Sequence, residues 1–344
     1  MPMLGIMASG ISASKVVTTF MAVSHAASPY LTVYPFSGGF GTKVSNPATL
    51  PAGEGRNVRW NPAGTAIAVA HVGSPYVSAY PWAAGNFGTK YSDPATLPTN
   101  NGSGLGFTNS NIVVASYNTS PYIQAYPWSS GFGTKYADPA TLPSAVYDVT
   151  FSPAGTTVAL ATYSTPFTYA YPFSSGFGTK YSNPATLPMN HRYGVNFNAA
   201  SSVVAVGGDG TGSSDPMADV YPWSSGFGTR YTSPATLNGG PSVSVQAVAF
   251  NPAGTVISFA SALGSFDSLT YIWSSGFSTK YSDPATPWSN TTYGNSFNAD
   301  GTAIAVGGGT SPYIYAYPWS SGFGTKYADP STLPTGAVQS VAFI

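Results

Sequence analysis

A phrase close to "AYPWSSGFGTKYADPATLP" is written seven times along this 344-residue chain. Its tyrosines are Tyr34, Tyr80, Tyr126, Tyr171, Tyr221, Tyr271 and Tyr317, spaced 45 to 50 residues apart. A fixed period of this length marks a propeller or a solenoid, in which each unit stacks on its neighbours. Helix is disfavoured. The 30 prolines and 39 glycines punctuate the period at fixed places, and strand formers fill the rest.

Each unit divides into four short strands. The first ends in an aromatic, as at Trp60, Phe151 and Phe250. A turn "NPAGT" follows, with Gly where the backbone needs positive φ. The second strand, "TAIAVA" in one copy, is apolar without alternation, so both faces should be buried. The third is "YIYAYPW" and the fourth "FGTKY", beyond the turn "SSG". "ADPATLP" then leads out, its Asp or Asn before Pro suiting a type I turn. Seven such units predict an all-β, seven-bladed β-propeller over 17–344, a single domain. The chain ends bear on closure. Residues 18–44 supply strands two to four of the first unit, and "AVQSVAFI" at 337–344 is a first strand with nothing after it. The C-terminal strand should therefore complete the first blade, whereas an open solenoid would need polar caps. Residues 1–16 are expected to form an N-terminal arm, since they lack the basic start of a signal peptide.

The order "V-A-F-N-P-A-G-T" followed by "A-x-x-x-Y-P-W" resembles the WD-repeat class of propeller. Trp82, Trp128, Trp223, Trp273 and Trp319 stand where that family has its third-strand Trp, with Phe36 and Phe173 in the other two blades. The Asp after the family's Trp is Ser or Ala here, and its Gly-His is missing, so its Asp–His network is not carried over. The wording "YPWSSGFGTKY" also resembles repeats of structural proteins of environmental tailed phages. The opening "GIMASGIS" is similar to short N-terminal segments of such proteins.

Charged residues make up 6% of the chain, 11 basic and 11 acidic, against about 25% in ordinary domains. No basic stripe exists for nucleic acid or an anionic membrane. Near-zero net charge favours association. There is no cysteine, hence no disulfide or thiolate chemistry. No apolar run reaches the roughly 18–20 residues of a membrane span.

Seven of the 11 basic residues are one column: Lys43, Lys90, Lys135, Lys180, Arg230, Lys280 and Lys326. Cations on an outer edge strand discourage edge-to-edge pairing; a docking ring for an acidic partner is the other reading. "GFGTK" lacks the strand–loop–helix context and spacing of a phosphate loop. The phrase therefore reads as scaffold, and sites should lie where the copies disagree. By the WD-repeat resemblance, the two variable connections share one face around the central channel. Candidate binding residues there are Arg56, His71, Tyr117, His191, Arg192, Asp209, Asp215, Trp288 and Tyr293. "DGTGSSD" at 209–215 offers oxygen ligands but not EF-hand spacing, leaving calcium or a plain polar turn. Trp288 is either packed or exposed for stacking. Three scattered histidines do not make a zinc site, and no cofactor motif is present. No "GxSxG" elbow stands between strand and helix, and the acidic residues read mostly as turn starters. The resulting expectation is a non-enzymatic virion structural protein of a tailed phage, decorating capsid or tail. Its partners would be other virion proteins and a host-surface glycan or receptor. The alternatives are a lectin-like, glycan-binding propeller and a secreted location.

Overall fold

The computed structural model describes residues 19–211, 215–238, 243–262, 268–288 and 291–344; the expected arm at 1–16 lies outside them. Seven antiparallel sheets follow one another along the chain. Blades two to seven open with inner strands Gly55–Trp60, Gly102–Phe107, Val146–Phe151, Arg192–Phe197, Val245–Phe250 and Thr292–Phe297. The inner strand of blade one is Val338–Phe343. It pairs with Thr19–His25, Met21 opposite Phe343 and Val23 opposite Val341. The ring is closed by the C-terminal strand, as the offset repeat requires. Packing continues across the seam, where Met21, Val23 and Tyr34 cluster with Ala303, Ala305 and Ile314 of blade seven.

The second strands of blades two to seven are buried at all six positions. Their apolar residues point alternately into the two neighbouring blades, which is why the sequence shows no alternation. The "NPAGT" turn is set by its asparagine. Asn61 Oδ1 accepts from the Thr65 and Ala66 amides at 2.9 Å each, and Gly64 sits at φ +66°. Asn198, Asn251 and Asn298 repeat the bond to the start of the second strand.

The repeated phrase locks adjacent blades. Trp128 meets Tyr91, Phe107 and Phe132 edge-on, at centroid distances of 5.1, 4.8 and 5.2 Å. Tyr91 comes from the preceding copy, so each "GTKY" lends its tyrosine to the next blade. Where that position is Val44, Phe20 stands against Trp82 instead, at 5.1 Å. The motif tyrosines also reach backwards. Tyr126 donates its hydroxyl to Thr96 O at 2.8 Å, and Tyr34, Tyr171, Tyr221 and Tyr317 do the same to Thr332, Thr141, Thr186 and Thr286. Tyr271 uses Thr236 Oγ1. The buried Tyr80 hydroxyl has no partner among the described residues.

The fourth strand is shorter than the sequence suggests. It forms a ladder only at Asn86–Phe87 and Phe277–Lys280. Elsewhere the segment holds on by one bridge, such as Trp128 with Phe132, and two backbone bonds, such as Gly133 N to Pro127 O and Tyr136 N to Ala125 O. The proline of "YPW" faces this segment without an N–H to give. Blade six carries Ile272 in its place and has the longest fourth strand. Blade two gains its short ladder from a turn one residue longer, "AAGN". Along this edge Lys90, Lys135, Lys280 and Lys326 pair with Asp93, Asp138, Asp283 and Asp329 three residues on.

Candidate active site

Each inner strand carries one β-bulge. In blade two Gly55 pairs with His71 and Asn57 with Ala70, which leaves Arg56 unpaired. The same slip leaves Ser103, Tyr147, Tyr193, Gln246, Tyr293 and Gln339 unpaired in the other blades. A bulge re-aims its extra side chain, and all seven line one central cavity of about 720 Å³. The cavity follows the ring axis from end to end of the inner strands. Trp60, Phe250, Phe297 and Phe343 stand at one end; the bulge residues stand at the other with Asn101, Tyr117 and Asn118.

The next position along each inner strand is Asn57, Gly104, Asp148, Gly194, Ala247, Gly294 or Ser340. Small residues here let the strands crowd the axis. A Cβ on Gly104 would lie 2.7 Å from Asp148 Cα and 2.9 Å from its Oδ1; on Gly194, 2.8 Å from Ala247 Cα; on Gly294, 2.9 Å from Ser340 Cα. Among the described residues that line the cavity, Asp148 brings the one carboxylate side chain. Its Oδ1 accepts from Asn57 Nδ2 at 3.2 Å across Gly104, and its Oδ2 from the Val195 amide at 3.2 Å. Arg59 Nη2 lies 4.0 Å from Oδ1, and Arg59 Nη1 donates to Ser340 Oγ at 3.4 Å. Burial pushes the Asp148 pKa up from the ordinary carboxylate range, opposed by the Arg59 charge and the Val195 and Val149 amides. A nearly buried carboxyl with a raised pKa, beside a guanidinium in a channel of this size, can exchange a proton while the cation stabilises a developing oxyanion.

The sequence candidates separate into three groups. Arg56, Tyr117 and Tyr293 line the channel, and Arg56 pairs with Glu54 at 2.9 Å. His191 and Asp209 stand beside the mouth: Asp209 Oδ2 accepts from Tyr193 OH at 2.9 Å and lies 3.3 Å from His191 Nδ1. The other four are packed away from it. His71 is fully buried, its Nε2 against Ser78 Oγ at 3.0 Å and its Nδ1 against Val72 O at 3.2 Å. Arg192 is 0% exposed and bound to Asp219, Asp215, and the Asp209 and Pro216 carbonyls. Asp215, held by Arg192 and Thr211, is therefore spent on that network; residues 212–214 of its loop lie outside the described residues. Trp288 is 4% exposed and meets Tyr317 and Phe323 edge-on, so it packs between blades. Asp148 and Arg59 were missed because both sit mid-strand, where sequence reading looks for core. The available signal was an ionisable residue in a column that the other copies fill with small or neutral polar residues.

No family model matches the chain, and no curated protein matches it significantly. Solved structures do. The periplasmic gluconolactonase of Pseudomonas aeruginosa superposes with a TM-score of 0.70 at 13% identity, over 95% of this chain and 99% of that one. Proteins assigned as 6-phosphogluconolactonases from Bacteroides uniformis and Bacteroides fragilis give TM-scores of 0.65 and 0.62 at 12% and 13% identity. Each match covers 95% of this chain, with 99% and 98% of those chains. Likeness at such identity speaks for the fold. It nonetheless overturns the expectation of a non-enzymatic phage virion protein: these three whole-length neighbours carry the names of enzymes, one of them periplasmic. The expected virion location and absence of catalysis fall with it. The virion part rested on the wording of the repeats and on low charge, and the absence of catalysis on missing local motifs, whereas a channel assembled from seven distant strands has no local motif to show.

Proposed function

We propose that this chain is a hydrolase opening the lactone ring of a sugar acid, with the central channel as its active site. The observation that carries the reading is Asp148, the one carboxylate side chain among the described residues of the channel, fixed beside Arg59. The names of the structural neighbours support the same chemistry. The Asn, Gln, Ser and Tyr side chains along the channel suit a neutral ligand rich in hydroxyls.

In this mechanism the Asp148 carboxylate takes a proton from a water molecule as the water oxygen bonds to the lactone carbonyl carbon. Arg59 donates to the oxygen that becomes negative. The ring C–O bond then breaks, and the departing alkoxide takes the proton back from Asp148. The product is the open hydroxy acid, with atoms and charge balanced. Asp148→Asn keeps the shape and the amide contact but removes the base, so hydrolysis of gluconolactone above the spontaneous rate should fall about 10²–10⁴-fold. In the native chain the rate should rise with pH through the raised Asp148 pKa, as the carboxylate forms. Native-like activity in the Asn variant, or a native protein no faster than water on any sugar lactone, removes the proposal. An extracytoplasmic location goes with this reading, and cell fractionation tests it.

A further inference from the structure

At blades three to five the polar mouth is built differently from the rest. Tyr117 of blade three stacks on Tyr147 of blade four, at 4.6 Å between centroids and 29° between planes. Tyr147 meets Tyr193 of blade five edge-on at 4.7 Å. Tyr163 stacks on His191 at 4.0 Å and 18°, and it also meets Tyr117 at 5.9 Å. The five rings form one continuous wall. Tyr117, Tyr147 and Tyr193 belong to the channel lining, while Tyr163 stands outside it and is 40% exposed.

The wall is confined to one side. The residue after the second strand is Ala26, Val72, Tyr117, Tyr163, Asp209, Ala262 or Gly309 around the ring. Only blades three and four place an aromatic there. The wall is also held in position. Asp209 Oδ2 takes the Tyr193 hydroxyl at 2.9 Å and lies 3.3 Å from His191 Nδ1, so one carboxylate orients two of the rings. Rings fixed in this way present flat apolar faces with hydroxyls at their edges, the surface that the C–H face of a pyranose covers.

We infer that this aromatic wall is a subsite for a second, uncharged pyranose ring, attached to the sugar lactone in the channel. The inference rests on the lactonase reading for the ring in the channel and extends it to disaccharide-sized or longer aldonolactones. Continuity of the wall with the channel lining favours this occupant, since one ligand can touch both at once. Uncharged sugar suits a wall whose single carboxylate is already engaged by Tyr193 and His191.

The test compares gluconolactone with cellobionolactone on the native chain and on Tyr163→Ala. Tyr163 touches only the extended ligand in this arrangement. The native chain should prefer the disaccharide lactone about tenfold in kcat/KM, and the variant should lose that preference while keeping its rate on gluconolactone. Equal rates on both lactones, unmoved by Tyr163→Ala, overturn the subsite. If neither lactone is hydrolysed, calorimetric titration with cellobiose separates the two ideas. Binding weakened by Tyr163→Ala and kept by Asp148→Asn retains the subsite and removes the lactonase; no binding removes the subsite as well.

Discussion

The outer and inner parts of each blade obey opposite rules. Outside, seven copies of one phrase agree almost letter for letter, because each Trp, Tyr and Gly must fit the same neighbours in the next copy. Inside, the bulge column holds one arginine, one serine, two glutamines and three tyrosines. An inner side chain that faces the axis has no equivalent partner to satisfy, so it is free to be chosen for chemistry. Repetition here marks packing, and irregularity marks the channel.

The strongest way to break this comparison is to remove the inner strand that closes the ring. Deleting 335–344 strips the Thr19–His25 strand of its partner and takes Val338 and Val341 out of the core. The truncated chain should lose its single cooperative unfolding transition, by calorimetry or urea titration. An unchanged melt would show that the outer phrase alone holds the ring.

A sharper test uses a column that is irregular yet buried. The last residue of the second strand is His25, His71, Ser116, Thr162, Gly208, Ser261 or Gly308. Burial lowers the His25 pKa to about 4, with the Ala27 backbone bond opposing and the Lys43 charge assisting. The unfolded chain then takes up a proton near pH 6.5 that the folded chain refuses until about 4. Stability is full above about 6.5 and falls as pH drops to about 4, by on the order of 3 kcal/mol. Urea midpoints of the native chain and His25→Gln, at neutral pH and near pH 4.5, should diverge accordingly. Equal pH slopes would mean that the ring charges without penalty.

The smallest effect compares two copies of one outer residue. Tyr126→Phe removes a hydroxyl bonded to Thr96 O, at a cost of about 1–2 kcal/mol, whereas Tyr80→Phe removes one without a partner and should be neutral or mildly stabilising. Equal costs would mean that the outer copies are not locked through these hydroxyls.

The seven blades and their closure were readable in the sequence because the period is long-range and the offset ends allow one solution. Arg56, Tyr117 and Tyr293 were readable as irregularities. The bulges were not, since register is a relation between two strands and "VYDVTF" looks like any strand. Arg192 misled for the same reason: its partner Asp219 lies on another strand, 27 residues away. The acids were read as mostly turn starters, yet Asp93 and Asp138 pair with Lys90 and Lys135 along the outer edge, and Asp148 and Asp219 are buried.

The unpaired residue of each bulge has a consequence for descent. It forms no rung of the ladder, so exchanging it leaves the sheet around it in register. Seven positions, one per blade, can therefore be rewritten one at a time while the rest of the gene is kept uniform by duplication. A chain built in this way can change the lining of its channel faster than its architecture.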